Sequence, residues 1–247
     1  MASPLHQFEI NTILPLNVAG YDVSLTNSSL FMLLAVISAT LFFVMGMQKK
    51  ALIPGRFQSA AEMLHNSVAN IVSDTAGENS KPYFPLIFSI FIFILSCNML
   101  GMLPYSFTVT SHILITFCLA LIVFLAVTIT GFAKHGLHFF SLFVPHGTPL
   151  VMVPLMFVLE VLSFCVRPFS LSIRLFANMM AGHIMLKVFA GMAVMLMAAG
   201  GATIVLLPLP ILLNVALTGF EFFVAGLQAY IFAILAAVYL HDALELH

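Results

Sequence analysis

The sequence is poor in charged residues, which make up only 7% of it. A soluble domain carries about 25% charged residues, so this chain has too few to cover a surface that faces water. With 62% hydrophobic residues and a mean hydropathy of +1.14, it is predicted to be an all-α integral membrane protein. Lys and Arg number only eight and form no basic face, which argues against nucleic acid as a partner.

Patterns for metals, cofactors and hydrolysis are lacking as well. The three cysteines stand far apart inside apolar runs and fit no metal spacing. Of nine histidines only His183 lies deep in an apolar segment, whereas a membrane haem needs paired axial ligands. The sequence contains no phosphate-binding glycine loop, zinc-protease motif or nucleophile elbow. We therefore expect no cofactor, no metal and no enzymatic activity of the chain on its own.

What the sequence does contain is a series of long apolar segments. Five membrane-crossing helices and one amphipathic interfacial helix are predicted within a single membrane domain, residues 1–247. A first span covers 28–47, an amphipathic helix that lies in the interface or against a partner covers 57–76, and a helical hairpin covers 85–133. Residues 148–244 form two long antiparallel helices around the turn "MAAGGAT". Each exceeds the roughly 20 residues of a perpendicular span, so both should be strongly tilted, broken or protruding.

Basic residues set the predicted orientation. They fall on one side of the membrane if the first three spans alternate in direction, while the opposite loop near residues 104–111 carries no charge. By the positive-inside rule the basic side is cytoplasmic, or faces the matrix, which leaves the N-terminus outside and the C-terminus inside. These residues are Lys49, Lys50, Arg56, Lys81 and Lys134.

Polar residues concentrate in the two long helices, where ionisable groups at membrane depth are functional candidates by default. On the first helix they repeat at steps of three, four and seven residues and share one face. A second set repeats similarly on the second helix, together with Thr218 and Ala225. The candidates are Glu160, Ser163, Arg167, Ser170, Arg174, Asn178 and His183 on the first helix, and Asn214, Glu221 and Gln228 on the second.

Counting residues from the turn matches the two helices in level. Arg174 is expected level with Gln228, and His183 near Glu221. Glu160 then lies towards the cytoplasmic side and the His183/Glu221 pair towards the outside. Titratable groups on each side of a fixed cation can relay protons from opposite faces, while the cation blocks a direct leak and attracts a mobile carboxylate.

Structural alternatives stay open for several of these residues. Glu160 and Arg167 could form a buried pair that only fixes packing. Arg167 and Lys187 could snorkel to the interface, and His183 by itself could be a hydrogen-bonded core histidine. At the level of the whole protein, a secondary ion-coupled transporter is the alternative function, although it predicts two related inverted halves that the sequence does not show. A redox-enzyme subunit is a third reading.

Three motifs resemble one known family. The stretch "SLSIRLFANMMAGH" resembles the signature of subunit a (subunit 6) of F-type ATP synthase, which centres on an arginine. "NMLGMLPYSF" resembles the hairpin segment of that family and "TGFEFFVAGLQAYIFAIL" its final helix. The resemblance covers most of the chain with the motifs in order. A histidine on the first long helix and a glutamate on the second is similar to the alphaproteobacterial and mitochondrial members.

The resemblance implies a proton-conducting stator subunit with two offset half-channels. Arg174 matches the essential arginine that faces the carboxylate of a c subunit. Asn178 and Gln228 match its polar neighbours, His183 and Glu221 match the outside half-channel, and Glu160 matches the inside one. Asn214 is assigned with the outside path, and Ser163, Arg167 and Ser170 with the inside path. In a straight helix the nine residues from Arg174 to His183 turn about 900°, so the two side chains point in opposite directions.

The resemblance also implies partners and a location. A c-subunit ring, b-type peripheral stalk subunits, the lipid bilayer and translocated protons are the expected partners. The chain is expected in a bacterial inner membrane, with the mitochondrial inner membrane as the alternative.

Overall fold

The computed structural model describes residues 8–15, 17–18, 21–22, 24–48, 54–103, 106–143 and 152–245. Helices dominate these residues, as the composition predicts, and the fold is all-α apart from four very short strands. Lys49, Lys50 and the predicted helical residues 148–151 lie outside the described part. The α-helices are α1 (Asn27–Met47), α2 (Arg56–Ala76), α3 (Phe84–Gly101), α4 (Ile113–His135), α5 (Val153–Ala199) and α6 (Pro208–Leu244).

Five helical segments of the described chain are long and apolar enough to cross a membrane, which confirms the predicted number. They contain α1, α3, α4, α5 and α6. At 1.5 Å per residue, α5 with 47 residues is about 70 Å long and α6 with 37 residues about 56 Å. Both far exceed the roughly 30 Å of hydrocarbon that a span must cross, so the two long C-terminal helices are confirmed.

The turn between α5 and α6 depends on two glycines. Gly200 and Gly201 have φ values of 67° and 62°, a left-handed conformation that glycine adopts without the steric cost of a Cβ. A 3₁₀ helix, Gly201–Leu206, then leads into α6. The "MAAGGAT" turn is therefore where the sequence predicts it.

An N-terminal strand arrangement was not predicted. Strand β1 (Thr12–Leu14) pairs antiparallel with β4 (Leu25–Thr26), and β2 (Asn17–Val18) pairs with β3 (Tyr21–Asp22). Asn27, the first residue of α1, ties this hairpin to the helix: its Nδ2 donates to the Glu9 carbonyl at 3.0 Å. Strands this short carry little periodicity, so the alternation of apolar and polar residues could not reveal them.

The amphipathic helix α2 packs on its own chain. Its buried residues are Ala61, Val68, Ile71, Val72 and Ala76, which recur at helical spacing. Near the start of the helix the apolar side chain of Phe57 is instead 62% exposed. A Cβ on Gly46 of α1 would lie only 3.2 Å from Ala61 Cβ, so α1 and α2 approach closely there. The ring of His65 contacts that of Phe84 at the start of α3, with centroids 5.0 Å apart.

The end of α6 is held by the last turn of α4. Lys134 Nζ donates to the Leu244 carbonyl at 2.9 Å, and His135 Nε2 lies 3.1 Å from the same oxygen. The last carbonyls of a helix lack intrahelical donors and carry partial negative charge, so basic side chains stabilise them. The C-terminal ends of α4 and α6 therefore lie together.

Contacts divide the chain into two compact units. One comprises Met1–Ala39, Phe93–His112 and Leu175–Gln228, and the other Thr40–Ile92, Ile113–Arg174 and Ala229–His247. In the first unit α5 and α6 run antiparallel, since Asn178 contacts Gln228 and His183 contacts Glu221. The single membrane domain over residues 1–247 stays a prediction.

Candidate functional site

An acid and a base at membrane depth meet in the first unit. His183 Nε2 on α5 lies 3.7 Å from Glu221 Oε1 on α6, and the two side chains are only 12% and 5% exposed. The distance is too long for a hydrogen bond, and neither Glu221 oxygen has a hydrogen-bond partner among the described residues. Burying a carboxyl group without a partner is costly, so its presence here needs an explanation. An acid and a base this close have the chemistry that proton transfer requires.

Gly182 makes room for the Glu221 side chain. A Cβ at position 182 would come within 2.5 Å of Glu221 Oε1 and 2.8 Å of its Cδ. The carboxyl group thus lies directly against the backbone of α5. About one helical turn away, Met179 on α5 and Ala225 on α6 are completely buried and pack the two helices together.

The end of α3 and its connection to α4 contribute residues that sequence reasoning missed. Thr108 Oγ1 lies 3.0 Å from His183 Nε2. Asn98 Nδ2 donates to the Ala225 carbonyl at 3.1 Å, and Asn98 Oδ1 accepts from Thr110 Oγ1 at 2.8 Å. All three polar side chains are buried. The signal that could have found them is the cluster of Asn and Thr in "NMLGMLPYSFTVTSH", which interrupts a charge-free apolar stretch.

The predicted polar neighbours Asn178 and Gln228 contact each other. Asn178 Nδ2 donates to Gln228 Oε1 at 2.8 Å. Gln228 is buried, and its Nε2 has no hydrogen-bond partner among the described residues. Asn214 Oδ1 is also buried without a hydrogen-bond partner among the described residues, and no described hydrogen bond joins it to the His183–Glu221 pair.

Arg174 lies on an exposed face of α5. Within the described ranges its guanidinium forms no ion pair and no hydrogen bond. Ile173 and Phe169 beside it are also exposed, and so is Ser170. A permanent cation on an exposed face of a membrane helix is expensive in lipid.

The residues predicted for the inside half-channel do not form one connected cluster. Arg167 Nη1 pairs with Asp242 Oδ2 at 2.9 Å, and its guanidinium carbon lies 4.9 Å from the ring centroid of Tyr239. The alternative of a Glu160–Arg167 packing pair is therefore not formed: Arg167 is engaged elsewhere. Glu160 is half-buried and has no ion pair or hydrogen bond to another described residue. Ser163 lies on an exposed face.

Asp242 was not predicted as a partner of Arg167, although its position along α6 indicates this contact. The antiparallel register that brings residue 183 to 221 also brings 242 close to about residue 162, within one to two helical turns of Arg167. Extending the residue count to the end of α6 would have paired the two. Lys187, the other basic residue for which snorkelling was an alternative, has its Nζ 6.0 Å from the ring centroid of Phe8.

Fold and site together define a polytopic helical membrane protein with ionisable groups on two long helices. The chain matches the family described as ATP synthase A chain over residues 29–241. It is 53% identical over 247 residues to ATP synthase subunit a of Rhodospirillum rubrum, covering all of both chains. It is 52% identical to the proteins of that name from Parvibaculum lavamentivorans (98% of this chain, 93% of the relative) and Pelagibacter ubique (99% and 98%).

The chain belongs to the ATP synthase subunit a family. Its role is in the membrane sector of F-type ATP synthase, and the processes in which it takes part are ATP synthesis and proton transport. The predicted family, of the alphaproteobacterial and mitochondrial type, is thereby confirmed.

Proposed function

We propose that this chain is the stator subunit that conducts protons to and from a rotating ring of c subunits. Protons arrive from outside through a half-channel that contains His183 and Glu221, with Asn178, Asn214 and Gln228 as its further polar residues. They leave inward past Glu160, Ser163, Arg167 and Ser170. Each transfer to a c-subunit carboxylate drives rotation and thereby ATP synthesis. The chain has no nucleotide site in this proposal and acts only within the complex.

The observation that carries the proposal is a difference in surroundings along one continuous helix. His183 is buried beside an acid in the first unit, whereas Arg174 lies exposed and unpaired among the described residues. The buried surroundings of His183 suit a group that exchanges protons along a path inside the protein. The exposed surroundings of Arg174 suit a cation that must meet a carboxylate on a separate, moving partner. Such a cation lowers the free energy of the ionised carboxylate as the carboxylate passes. Family membership also argues against the alternative of a secondary transporter.

The same family role implies b-type peripheral stalk subunits as further partners, a bacterial inner membrane as the location, and a topology with the N-terminus outside. The contact of Lys134 and His135 with the Leu244 carbonyl agrees with five alternating crossings, whichever side holds the N-terminus. In such a chain the third crossing, α4, and the fifth, α6, end on the same side. The two ends can then meet, as they do.

Replacement of Arg174 tests the proposal. We expect Arg174→Ala in the assembled complex to abolish ATP synthesis driven by an imposed proton gradient. The control is Arg56→Ala, because that cation is exposed at the start of α2 and belongs to neither proposed half-channel. It should retain a measurable rate per assembled complex. Normal synthesis in the Arg174→Ala complex overturns the proposal.

A further inference from the structure

One hydroxyl group lies closer to the His183 ring than its acidic partner does. Thr108 Oγ1 is 3.0 Å from His183 Nε2, whereas Glu221 Oε1 is 3.7 Å away. By distance, only the threonine forms a hydrogen bond with this nitrogen. Thr108 is 2% exposed, so water does not easily replace it.

Thr108 is held firmly in its place. A Cβ on Gly101 would lie 2.8 Å from Thr108 Cγ2, so the threonine packs directly on the backbone of α3. The Thr108 carbonyl accepts a hydrogen bond from Ser111 Oγ at 2.6 Å. The neighbouring bond between Thr110 and Asn98 anchors the same connection.

A hydroxyl can change between donor and acceptor without changing its own protonation state. It can donate one hydrogen bond and accept others. When Nε2 carries a proton, Thr108 Oγ1 accepts from it and directs its own hydrogen to the Gly101 carbonyl, 3.5 Å away. When Nε2 is bare, the same hydroxyl rotates and donates to it. The ring therefore keeps a partner in both protonation states.

The other described groups that face His183 do this less readily. Glu221 on α6 accepts when ionised and donates only after it has itself taken up a proton, and Lys187, one turn further along α5, donates when charged. Phe8 presents a ring at 6.5 Å between centroids and an interplanar angle of 70°. Without Thr108, the partner of the ring nitrogen would depend on the charge of Glu221, and a largely buried nitrogen without a partner is costly.

We propose that Thr108 is a positioning residue for His183, whose hydroxyl holds Nε2 in place and serves as acceptor or donor as the ring gains and loses its proton. This inference rests on the proposed role of His183 in the outside half-channel. The hydrogen bond between Thr108 Oγ1 and His183 Nε2 can be measured separately from that role.

Two substitutions test it in the assembled complex. Thr108→Val keeps the shape and removes the hydroxyl, whereas Thr108→Ser keeps the hydroxyl. We expect Thr108→Val to lower the rate of proton-driven ATP synthesis per complex roughly tenfold and to change its dependence on outside pH, and Thr108→Ser to restore both. The matched control is Thr116→Val, which removes another buried hydroxyl, 3.0 Å from Ser172 Oγ. It should leave the pH profile unchanged.

A spectroscopic readout separates the inference from the proposed function. Solid-state NMR of complexes labelled with ¹⁵N-histidine reports the ring nitrogens, and the His183 signal is the one that His183→Ala removes. We expect this signal to shift in Thr108→Val and to return in Thr108→Ser. An unchanged signal in Thr108→Val overturns the inference, and so does an equal loss of activity in the Val and Ser variants. Normal synthesis in His183→Ala instead overturns the proposed role of His183. In that case a shift of the His183 signal in Thr108→Val would still support the contact between Thr108 and His183.

Discussion

The Glu221 carboxyl group lies so close to Gly182 of α5 that position 182 has no room for a side chain. A Cβ there would come within 2.5 Å of Glu221 Oε1. The side chain of Glu221 is thus confined between the backbone of one helix and the ring of His183, 3.7 Å away.

Substitution of this glycine should displace the acid. We expect Gly182→Ala to lower proton-driven ATP synthesis roughly tenfold, because small displacements of a proton-transfer group are costly. Loss of helix stability cannot be the reason, since Ala favours a helix over Gly by about 1 kcal/mol. Gly191→Ala on the same helix is the control: a Cβ there meets nothing within 4 Å. Equal rates in the two variants would remove the steric argument.

The pair of Arg167 and Asp242 should contribute to stability. Their side chains are 23% and 32% exposed, and the charged atoms are 2.9 Å apart. Breaking the pair leaves one charge partly buried without its partner, at a cost of about 1–3 kcal/mol. We expect Arg167→Gln and Asp242→Asn each to lower the melting temperature of the purified complex. The charge-swapped double variant, Arg167→Asp with Asp242→Arg, should regain part of the loss. A swapped variant no more stable than the single ones would contradict the pairing.

The loop between α3 and α4 should lose stability in mild acid. Burial lowers the pKa of His112 from its ordinary value of 6.5, and its ring stacks on that of Phe107, with centroids 5.0 Å apart. Well above pH 6.5 the ring is neutral in both the folded and the open chain and contributes no pH dependence. As the pH falls below 6.5, the open chain binds the proton first, so the folded loop is progressively disfavoured until its own lower pKa is passed.

Hydrogen exchange of residues 106–112, corrected for intrinsic rates, measures this effect between pH 7.5 and 5. We expect protection to fall with falling pH in the native chain. His112→Phe retains a ring for the stack and removes the proton, so its protection should be independent of pH. The same pH dependence in both chains would assign the effect to another group.

Lys134 should protect the last turn of α6. Its ammonium donates to the Leu244 carbonyl, and removing a cation from a helix C-terminus costs about 1 kcal/mol. We expect Lys134→Met to increase hydrogen exchange in the last turn of α6 roughly fivefold, the factor that corresponds to about 1 kcal/mol. Lys134→Arg keeps the charge and should restore much of the protection. Unchanged exchange in Lys134→Met would show that His135 alone suffices.

The helices themselves were predictable because each depends on its own residues. A charge-free run such as that in α1 has only one stable form in a bilayer, a helix that satisfies its own backbone hydrogen bonds. The level match of His183 and Glu221 could also be counted, since a glycine turn and a constant rise per residue determine which residues of an antiparallel pair meet. The short N-terminal strands could not be foreseen, because two or three residues show no period.

Sequence by itself determined the class of protein, the five long apolar helices and the candidate ionisable groups, since these follow from composition and from spacing along one chain. Tertiary structure alone decided the partners that come from outside the two long helices. Thr108, 75 positions before His183 in the sequence, lies 3.0 Å from its ring nitrogen. No periodicity within one helix records such contacts, because they depend on how side chains from separate segments fill the space between packed backbones.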